Sequence, residues 1–221
     1  MGQKLPQDLF QKLIIFFTYL RKYYHTLSKM NEGDIVACDE TAVWFDATSN
    51  KTIALRGEKS IGVASTGHDK ANVTILLATA SNGSKKRPLM VIKGKGKSKE
   101  DKILQGRRDI KVVYSDNGWM NDTLTVEWLN FIFADTFFGN GLLIWDSYRC
   151  HISKITKAAL KKKRVDSCVI PGGCTGLIQA PDVSWNKPFK GCLRSLYDSC
   201  LKTEITHSQS KIILGHHQNQ S

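Results

Sequence analysis

The stretch Leu142–His151, LLIWDSYRCH, decides how this chain is read. Four apolar residues, Leu142 to Trp145, follow Gly139 and Gly141. A short run without polar alternation suits a strand buried on both faces, as in the parallel or mixed sheet of an α/β domain. The run stops at Asp146. Open α/β sheets place their ligand sites beyond the carboxyl ends of strands, so an acid there is a candidate site residue. A turn or helix cap would explain the same aspartate. The choice between them depends on what the rest of the chain brings to that edge.

Working outward, Ile35–Cys38 is a second short apolar run, and it too ends in acid, at Asp39 and Glu40. Val43–Phe45 continues it. Thr52–Leu55, Val73–Ala80, Leu89–Ile92, Val112–Tyr114 and Cys168–Ile170 read as further strands. They are punctuated by turn signals at Asn31–Asp34, Arg56-Gly57, Ser81-Asn82-Gly83 and Pro171-Gly172-Gly173. The short connections near the start predict an antiparallel meander. Leu9, Leu13, Phe16 and Leu20, widened by Phe10, Ile14 and Phe17, predict an amphipathic helix over Asp8–Lys29 that packs on the domain. Asn121 or Asp122 caps a helix expected to reach about Phe138, and Ser153 caps one expected to reach about Arg164. A last helix is expected over Asn186–Lys202, with Pro188 in its first turn. The expected organisation is an N-terminal helix in residues 1–30, an α/β domain over 31–202, and a polar, disordered tail over 203–221.

The chain has 221 residues, 41% of them hydrophobic, enough for one domain with a proper core. Its 32 Lys and Arg outnumber 20 Asp and Glu, a formal net charge of +12. That excess predicts attraction to polyanions, above all nucleic acid. Six cysteines without a C-x-x-C pair predict buried free thiols. Cys150, His151, Cys168 and Cys174 match no zinc-site spacing. No apolar run approaches membrane-spanning length, and the chain is expected to be intracellular, with no membrane partner.

A third acid, Asp182, follows the last strand, with 35 residues between it and Asp146, the length of a helix–strand–loop excursion. No Glu lies between Glu127 and Glu204, and Asp166 stands before a strand, at the wrong end. Three convergent carboxylates repel one another unless a cation fills the space between them. Oxygen-only ligands favour Mg2+ or Mn2+. Two such ions about 3.5–4 Å apart suit in-line phosphoryl displacement. Residue chemistry thus points to a metal-dependent, nuclease-like α/β domain acting on a polyanion.

Ala37–Asp46, ACDETAVWFD, resembles the first acidic motif of the pogo/Tigger-type DDE transposases, the DDE-1 endonuclease family. Trp145–Ser153, WDSYRCHIS, is similar to the second, an Asp followed five residues later by His. Ile178–Lys190, IQAPDVSWNKPFK, resembles the third. Gly118-Trp119-Met120, Trp128 and Ile92-Lys93-Gly94-Lys95 fit the same pattern. The match spans about Met30 to Lys202, with three motifs in order. The resemblance implies an RNase H-like mixed sheet flanked by helices, and a catalytic, metal-binding trio of Asp39, Asp146 and Asp182. It also implies DNA strand cleavage and joining with Mg2+, where the carboxylate chemistry predicts two Mg2+ or Mn2+ ions, and a nuclear location is expected. Pro181 directly precedes Asp182, where the family more often has Pro two residues before the acid. Family members normally carry helix-turn-helix domains ahead of the catalytic part, so the chain is expected to be a truncated form. A domesticated, non-catalytic module binding DNA or protein is the alternative.

Candidate DNA contacts are Lys93, Lys95, Lys97, Lys99, His151, Trp185 and Lys187. The lysines of Lys93–Lys102 are expected in an exposed loop that tracks phosphates. The glycine spacing is not read as a P-loop, because no Gly-Lys-Ser/Thr is expected to close it before a helix. His151 is expected to return toward Asp146 or to serve a helix start. Trp44, Trp119, Trp128 and Trp145 are assigned to the core, and Trp185 to a loop as a base-stacking platform. Glu40 is expected to point away from Asp39, because side chains alternate along a strand, and to play a structural or supporting role behind it. Lys161–Arg164 resembles a nuclear import patch, though a solvated helix face also explains it.

Overall fold

The computed structural model describes residues 5–26, 35–44, 72–133 and 141–200. The expected strand at Thr52–Leu55, the turns at Asn31–Asp34 and Arg56-Gly57, the approach to Phe138 and the tail from Thr203 lie outside them. Six strands form one sheet: β1 (Ile35–Trp44), β2 (Asn72–Ala80), β3 (Leu89–Lys93), β4 (Lys111–Ser115), β5 (Gly141–Trp145) and β6 (Val165–Val169). Their order is β4-β3-β2-β1-β5-β6. β2 is antiparallel to both β1 and β3, while β3–β4, β1–β5 and β5–β6 are parallel pairs. Five strands therefore point one way and β2 alone the other. One edge collects the carboxyl ends of β3, β4, β5 and β6.

β5 explains the continuous apolar run. Leu143 and Trp145 enter a core with Trp128 and Leu129 of α3 (Asp122–Ile132) and Leu160 of α4 (Lys154–Lys162). Leu142 and Ile144 enter a second cluster on the other face, with Phe16 of α1 (Leu9–Thr26), Cys168, Ile170 and Cys174. A strand covered on both faces needs an apolar group at every position, since alternate side chains point to opposite faces. Trp145 is fully buried and satisfies its indole N–H on Ser167 Oγ at 2.8 Å.

Asn121 caps α3 through Leu124 N, and Ser153 caps α4 through Thr156 N. α4 stops at Lys162, short of the expected Arg164, which adopts a left-handed backbone (φ 56°) and turns the chain into β6. The expected wide apolar face of α1 is not wholly buried. Phe16 is covered, whereas Phe10 and Ile14 are 81% and 66% exposed, and Phe17 is exposed too. Only the stripe through Leu9, Leu13, Phe16, Leu20 and Tyr23 packs against the second cluster.

The exposed loop expected over Lys93–Lys102 is shorter. A helix, α2 (Lys99–Gln105), begins inside it, started by a capping box between Ser98 and Asp101. Lys99 and Lys102 are helical, and Tyr114 Oη donates to Asp101 Oδ1 at 2.8 Å to hold the turn. Gly96-Lys97-Ser98 thus does lead into a helix. It is still no P-loop, because Val91 rather than glycine stands five residues before Gly96 and the Ser98 hydroxyl is used as the cap. A side chain at Gly96 would meet the Tyr114 ring at 2.6 Å, at φ 66°, so only glycine fits there.

The last helix also differs. After the short α5 (Thr175–Ile178), a π-helical turn over Pro181–Trp185 runs directly into helical residues 186–200. Pro188 lies inside this stretch rather than in a first turn. It has no N–H to give the carbonyl four residues back, and the wide turn ahead of it pairs Asn186 N–H with Pro181 O instead. The cysteines are free thiols, with Cys38, Cys150, Cys168 and Cys174 buried but Cys192 and Cys200 exposed. Among the described residues no helix is long and apolar enough to cross a membrane.

Candidate active site

Asp39 and Asp146 are brought side by side by strand register. The parallel pairing of β1 and β5 sets Ile35 opposite Leu142 and Ala37 opposite Ile144. Two residues further along each chain, Asp39 comes level with Asp146, the first residue past β5. Neighbouring strands lie about 4.8 Å apart, and residues that are level share a face. Asp39 itself is inside β1, fixed on its other side by pairing with Leu77 of β2.

Asp182 arrives on the π-helical turn. One turn on stands Asn186, whose buried amide nitrogen donates to Asp39 Oδ2 at 2.8 Å and to Asp182 Oδ1 at 3.2 Å. A single NH2 group therefore ties two of the three acids together. Helical spacing explains it, because residues i and i+4 lie on one face.

His151 is 2% exposed and connects the third acid to a fourth. Its Nδ1 is 2.8 Å from Asp146 Oδ1 and its Nε2 3.1 Å from Glu40 Oε1. Ionised carboxylates only accept, so both ring nitrogens donate and the imidazole is a cation. Burial alone would lower the basicity of His151. Hydrogen bonds to Asp146 and Glu40 outweigh that and push it up to about 12. Tyr148 N–H adds a bond to Asp146 Oδ1 at 3.0 Å. Burial would raise the Asp146 carboxyl, but His151 and the Tyr148 N–H hold it below its ordinary value. Glu40 turns to the face opposite Asp39, as strand alternation predicts, the face that carries Cys38 and Trp145. Its longer side chain reaches His151, and through it acts on Asp146.

Asp39 behaves oppositely. Burial pushes its carboxyl up to about 7, opposed by the Asn186 amide and reinforced by the charges of Asp182, Glu40 and Asp146. Burial is the main cause, and the neighbouring carboxylates add to it. A hard divalent cation would relieve it, and a set of Asp oxygens suits Mg2+ or Mn2+. The donor chemistry thus fits such an ion, with Asp39, Asp146 and Asp182 as the residues that would hold it. The side chains do not stand ready-made around one: among the described residues no group of three or more His, Cys, Asp or Glu is arranged to hold a metal. Asn186 and His151 engage one oxygen of each acid instead. The same holds for Cys150, His151, Cys168 and Cys174, whose histidine is committed to carboxylates.

The candidate DNA contacts divide. Lys93 ends β3 on the edge where β5 ends at Asp146, and Lys95 and Lys97 follow it in the loop. All three are exposed, as is Lys99 in the first turn of α2. Lys187 is exposed on the helix that follows Asp182. His151 is fully built into the acid cluster and is not a surface contact. Trp185 lies in the π-helical turn rather than a loop, half-buried, with its indole nitrogen buried and unbonded. Of the tryptophans assigned to the core, Trp128 and Trp145 are fully buried, but Trp44 and Trp119 are 49% exposed. Both sit where elements run out, Trp44 as the last residue of β1 and Trp119 in the turn before α3.

Asn186 is the residue that local reading did not single out for the acid cluster. The Asp182–Asn186 spacing was a usable signal once a helix was assumed there. Nothing local links Glu40 to His151, 111 residues away.

The model of the family described as DDE superfamily endonuclease matches residues 70–216. Over 211 residues the chain is 26% identical to a Mus musculus protein described as "Pogo transposable element with KRAB domain", across 90% of this chain and 33% of that protein. The Homo sapiens protein of that description is 27% identical over 210 residues, across 90% and 32%. The chain spans about a third of the length of these curated relatives. Among solved structures, "Mos1 transposase paired-end complex with left transposon end" superposes with TM-score 0.54 at 11% identity, over 87% of this chain and 52% of that one. "Crystal structure of the Mos1 mariner paired end complex with Mn" gives 0.55 at 11%, over 87% and 52%. The six-strand order and this likeness make the fold RNase H-like.

Proposed function

Because the chain belongs to the DDE superfamily endonuclease family, we propose that it is a transposase-derived domain that cuts and transfers DNA strands with Mg2+ or Mn2+. The reading rests on the convergence of Asp39, Asp146 and Asp182 on one edge of the sheet, where the charges of Asp146 and Asp182 both bear on Asp39. Bound divalent ions would supply the charge that steadies the attacking and leaving oxygens of an in-line displacement. The chain's own residues do the rest. Asp39 within β1 and Asp146 just past β5 are brought level by the parallel register of the two strands. His151 clamps Asp146 in one rotamer through Nδ1, and Glu40 anchors His151 from behind. Asn186 keeps Asp182 turned toward Asp39. Lys93, Lys95, Lys97, Lys99 and Lys187 draw the phosphate backbone to that edge without reading sequence. With DNA as substrate and the basic run Lys161–Arg164, the site of action is the nucleus.

The test is nicking of supercoiled DNA by the purified chain in Mg2+ or Mn2+, compared with Asp146→Asn. The parent should nick and the variant should not, while both bind DNA. The ions should also raise the parent's melting temperature and leave that of Asp146→Asn unmoved. The second reading, a non-catalytic DNA- or protein-binding module, is favoured by the lack, among the described residues, of a side-chain group arranged to hold a metal. A parent that neither nicks nor gains thermal stability from either ion would establish it.

A further inference from the structure

We infer that the outer face of α4 and the cavity at its C-terminal end form a second nucleic-acid site, which holds phosphates away from the acid cluster. Only its choice of ligand rests on the DNA-binding reading above. Lys154, Lys157 and Lys161 recur at i, i+3 and i+7, so they line one exposed stripe, and Arg164 continues it past the helix end. The stripe starts beside Ser153, just after His151, at the edge where Asp146 lies. It finishes beside Val165, which pairs with Gly141 at the opposite end of β5. A cavity of about 490 Å³ opens there, lined by Lys157, Lys161, Arg164, Tyr19, Ser167 and Asp166 among others.

Three features separate this stripe from an ordinary solvated face. First, none of the ion pairs among the described residues engages a cation of α4 or Arg164. One carboxylate, Asp166, also lines the cavity, and the three cations Lys157, Lys161 and Arg164 outnumber it. Second, the charges do not serve the helix. Lysines in the last turn complement its dipole, but Lys154 in the first turn opposes it, no acid balances it there, and Lys157–Lys161 is a repulsive i,i+4 pair. Third, the residue at the left-handed turn after α4 is Arg164 (φ 56°), where glycine or asparagine would be unstrained. The chain carries that strain while setting a guanidinium on the cavity wall, and a guanidinium matches phosphate oxygens in a bidentate fork. Cations with no ion-pair partner among the described residues, leading along a helix into a cation-lined cavity, are the electrostatic track of a phosphate backbone.

The experiment is fluorescence anisotropy of a labelled DNA duplex titrated with the chain in EDTA, over a range of salt, so that no cleavage contributes. Lys157→Gln/Lys161→Gln/Arg164→Gln should weaken binding at low salt about tenfold or more. It should also flatten the slope of log affinity against log salt by about 2–3, at about 0.9 per lost phosphate contact. Lys157→Arg/Lys161→Arg should keep the parental slope. Lys85→Gln/Lys86→Gln/Arg108→Gln removes the same charge elsewhere and should change the slope by less than about one such contact. Equal flattening by the two neutral triples would mean a diffuse charge effect and would overturn the site. An oligo-glutamate peptide that displaces the duplex as well as unlabelled duplex of equal charge would assign the cavity to an acidic protein segment instead. A parent that binds duplex with the α4 triple unchanged sinks this inference alone. A parent that binds no duplex at any salt sinks the DNA-binding reading with it.

Discussion

The imidazole of His151 lies flat on the indole of Trp145, with ring centroids 4.2 Å apart and planes 8° from parallel. The stack fixes the ring plane, so the two nitrogens are aimed at Asp146 and Glu40 before any substrate arrives. It also couples the fully buried Trp145 of β5 to the acid that ends the strand. His151→Ala removes the cation and leaves two carboxylates unpaired. Unfolding in urea near neutral pH should show a loss of roughly 2–4 kcal/mol, the lower part of the range for a broken buried pair, because Asp146 keeps 30% of its side chain exposed. Glu40→Gln keeps an acceptor for His151 and should cost clearly less. Equal losses for the two variants would mean that the Glu40 charge alone carries the effect and would overturn the expected order.

Stability should fall with rising pH through two separable windows. The carboxyl of Asp39 is raised from 3.8 to about 7 in the fold, so its contribution is whole below 3.8 and is lost as pH rises through 7. His151 is raised from 6.5 to about 12, so its contribution is whole below 6.5 and drains away as pH climbs toward 12. Asp146 is held below 3.8 and works the other way, its contribution disappearing as pH falls under that value. Urea unfolding without added metal should therefore show a decline between about pH 4 and 7 that Asp39→Asn removes, and a further decline above 7 that it leaves in place. An unchanged slope in Asp39→Asn between pH 4 and 7 would refute the assignment.

Asn186 should tune the acid it bonds. Asn186→Ala deletes the one hydrogen bond that holds the Asp39 carboxyl down, so Asp39 should titrate above about 7. Hydrogen bonds to charged groups contribute about 1.5–3 kcal/mol, and the half-protonated Asp39 places the loss at the low end, about 1.5 kcal/mol near pH 7. Asn186→Asp adds a carboxylate to the cluster and should be worse than alanine at pH 8 yet milder at pH 5. Carboxyl-carbon NMR titration of Asp39 is the measurement, and an unshifted midpoint in Asn186→Ala would sink the claim.

The loop after β3 should act on DNA through charge alone. Lys95→Gln/Lys97→Gln/Lys99→Gln should lower affinity for duplexes of unrelated sequence by similar factors and flatten the salt slope by about 2–3. Changing the slope for one sequence and not another would point to base readout instead. The variant should melt like the parent, because all three side chains are exposed.

What could be read along the chain was whatever short-range physics records. The unbroken apolar run at Leu142–Trp145 means burial on two faces wherever the strand goes. Asn121 and Ser153 announce helix starts because a cap needs only the next three residues. Acids at Asp39, Asp146 and Asp182 were visible as breaks in apolar or turn patterns. The Ser98–Asp101 capping box was equally local, but glycines and lysines around it read as a loop, and Lys99 was set there rather than in a helix. The exposure of Phe10, Ile14 and Phe17 was not legible, since periodicity describes a helix face without saying how much of it a neighbour covers. Nor was the spatial order of the strands. Asp39 stands level with Asp146 because β5 inserts beside β1 in parallel register, and His151 reaches Glu40 across 111 residues for the same reason. Contacts between distant segments depend on strand order and register, which the whole core selects by its packing, and no local pattern carries that information.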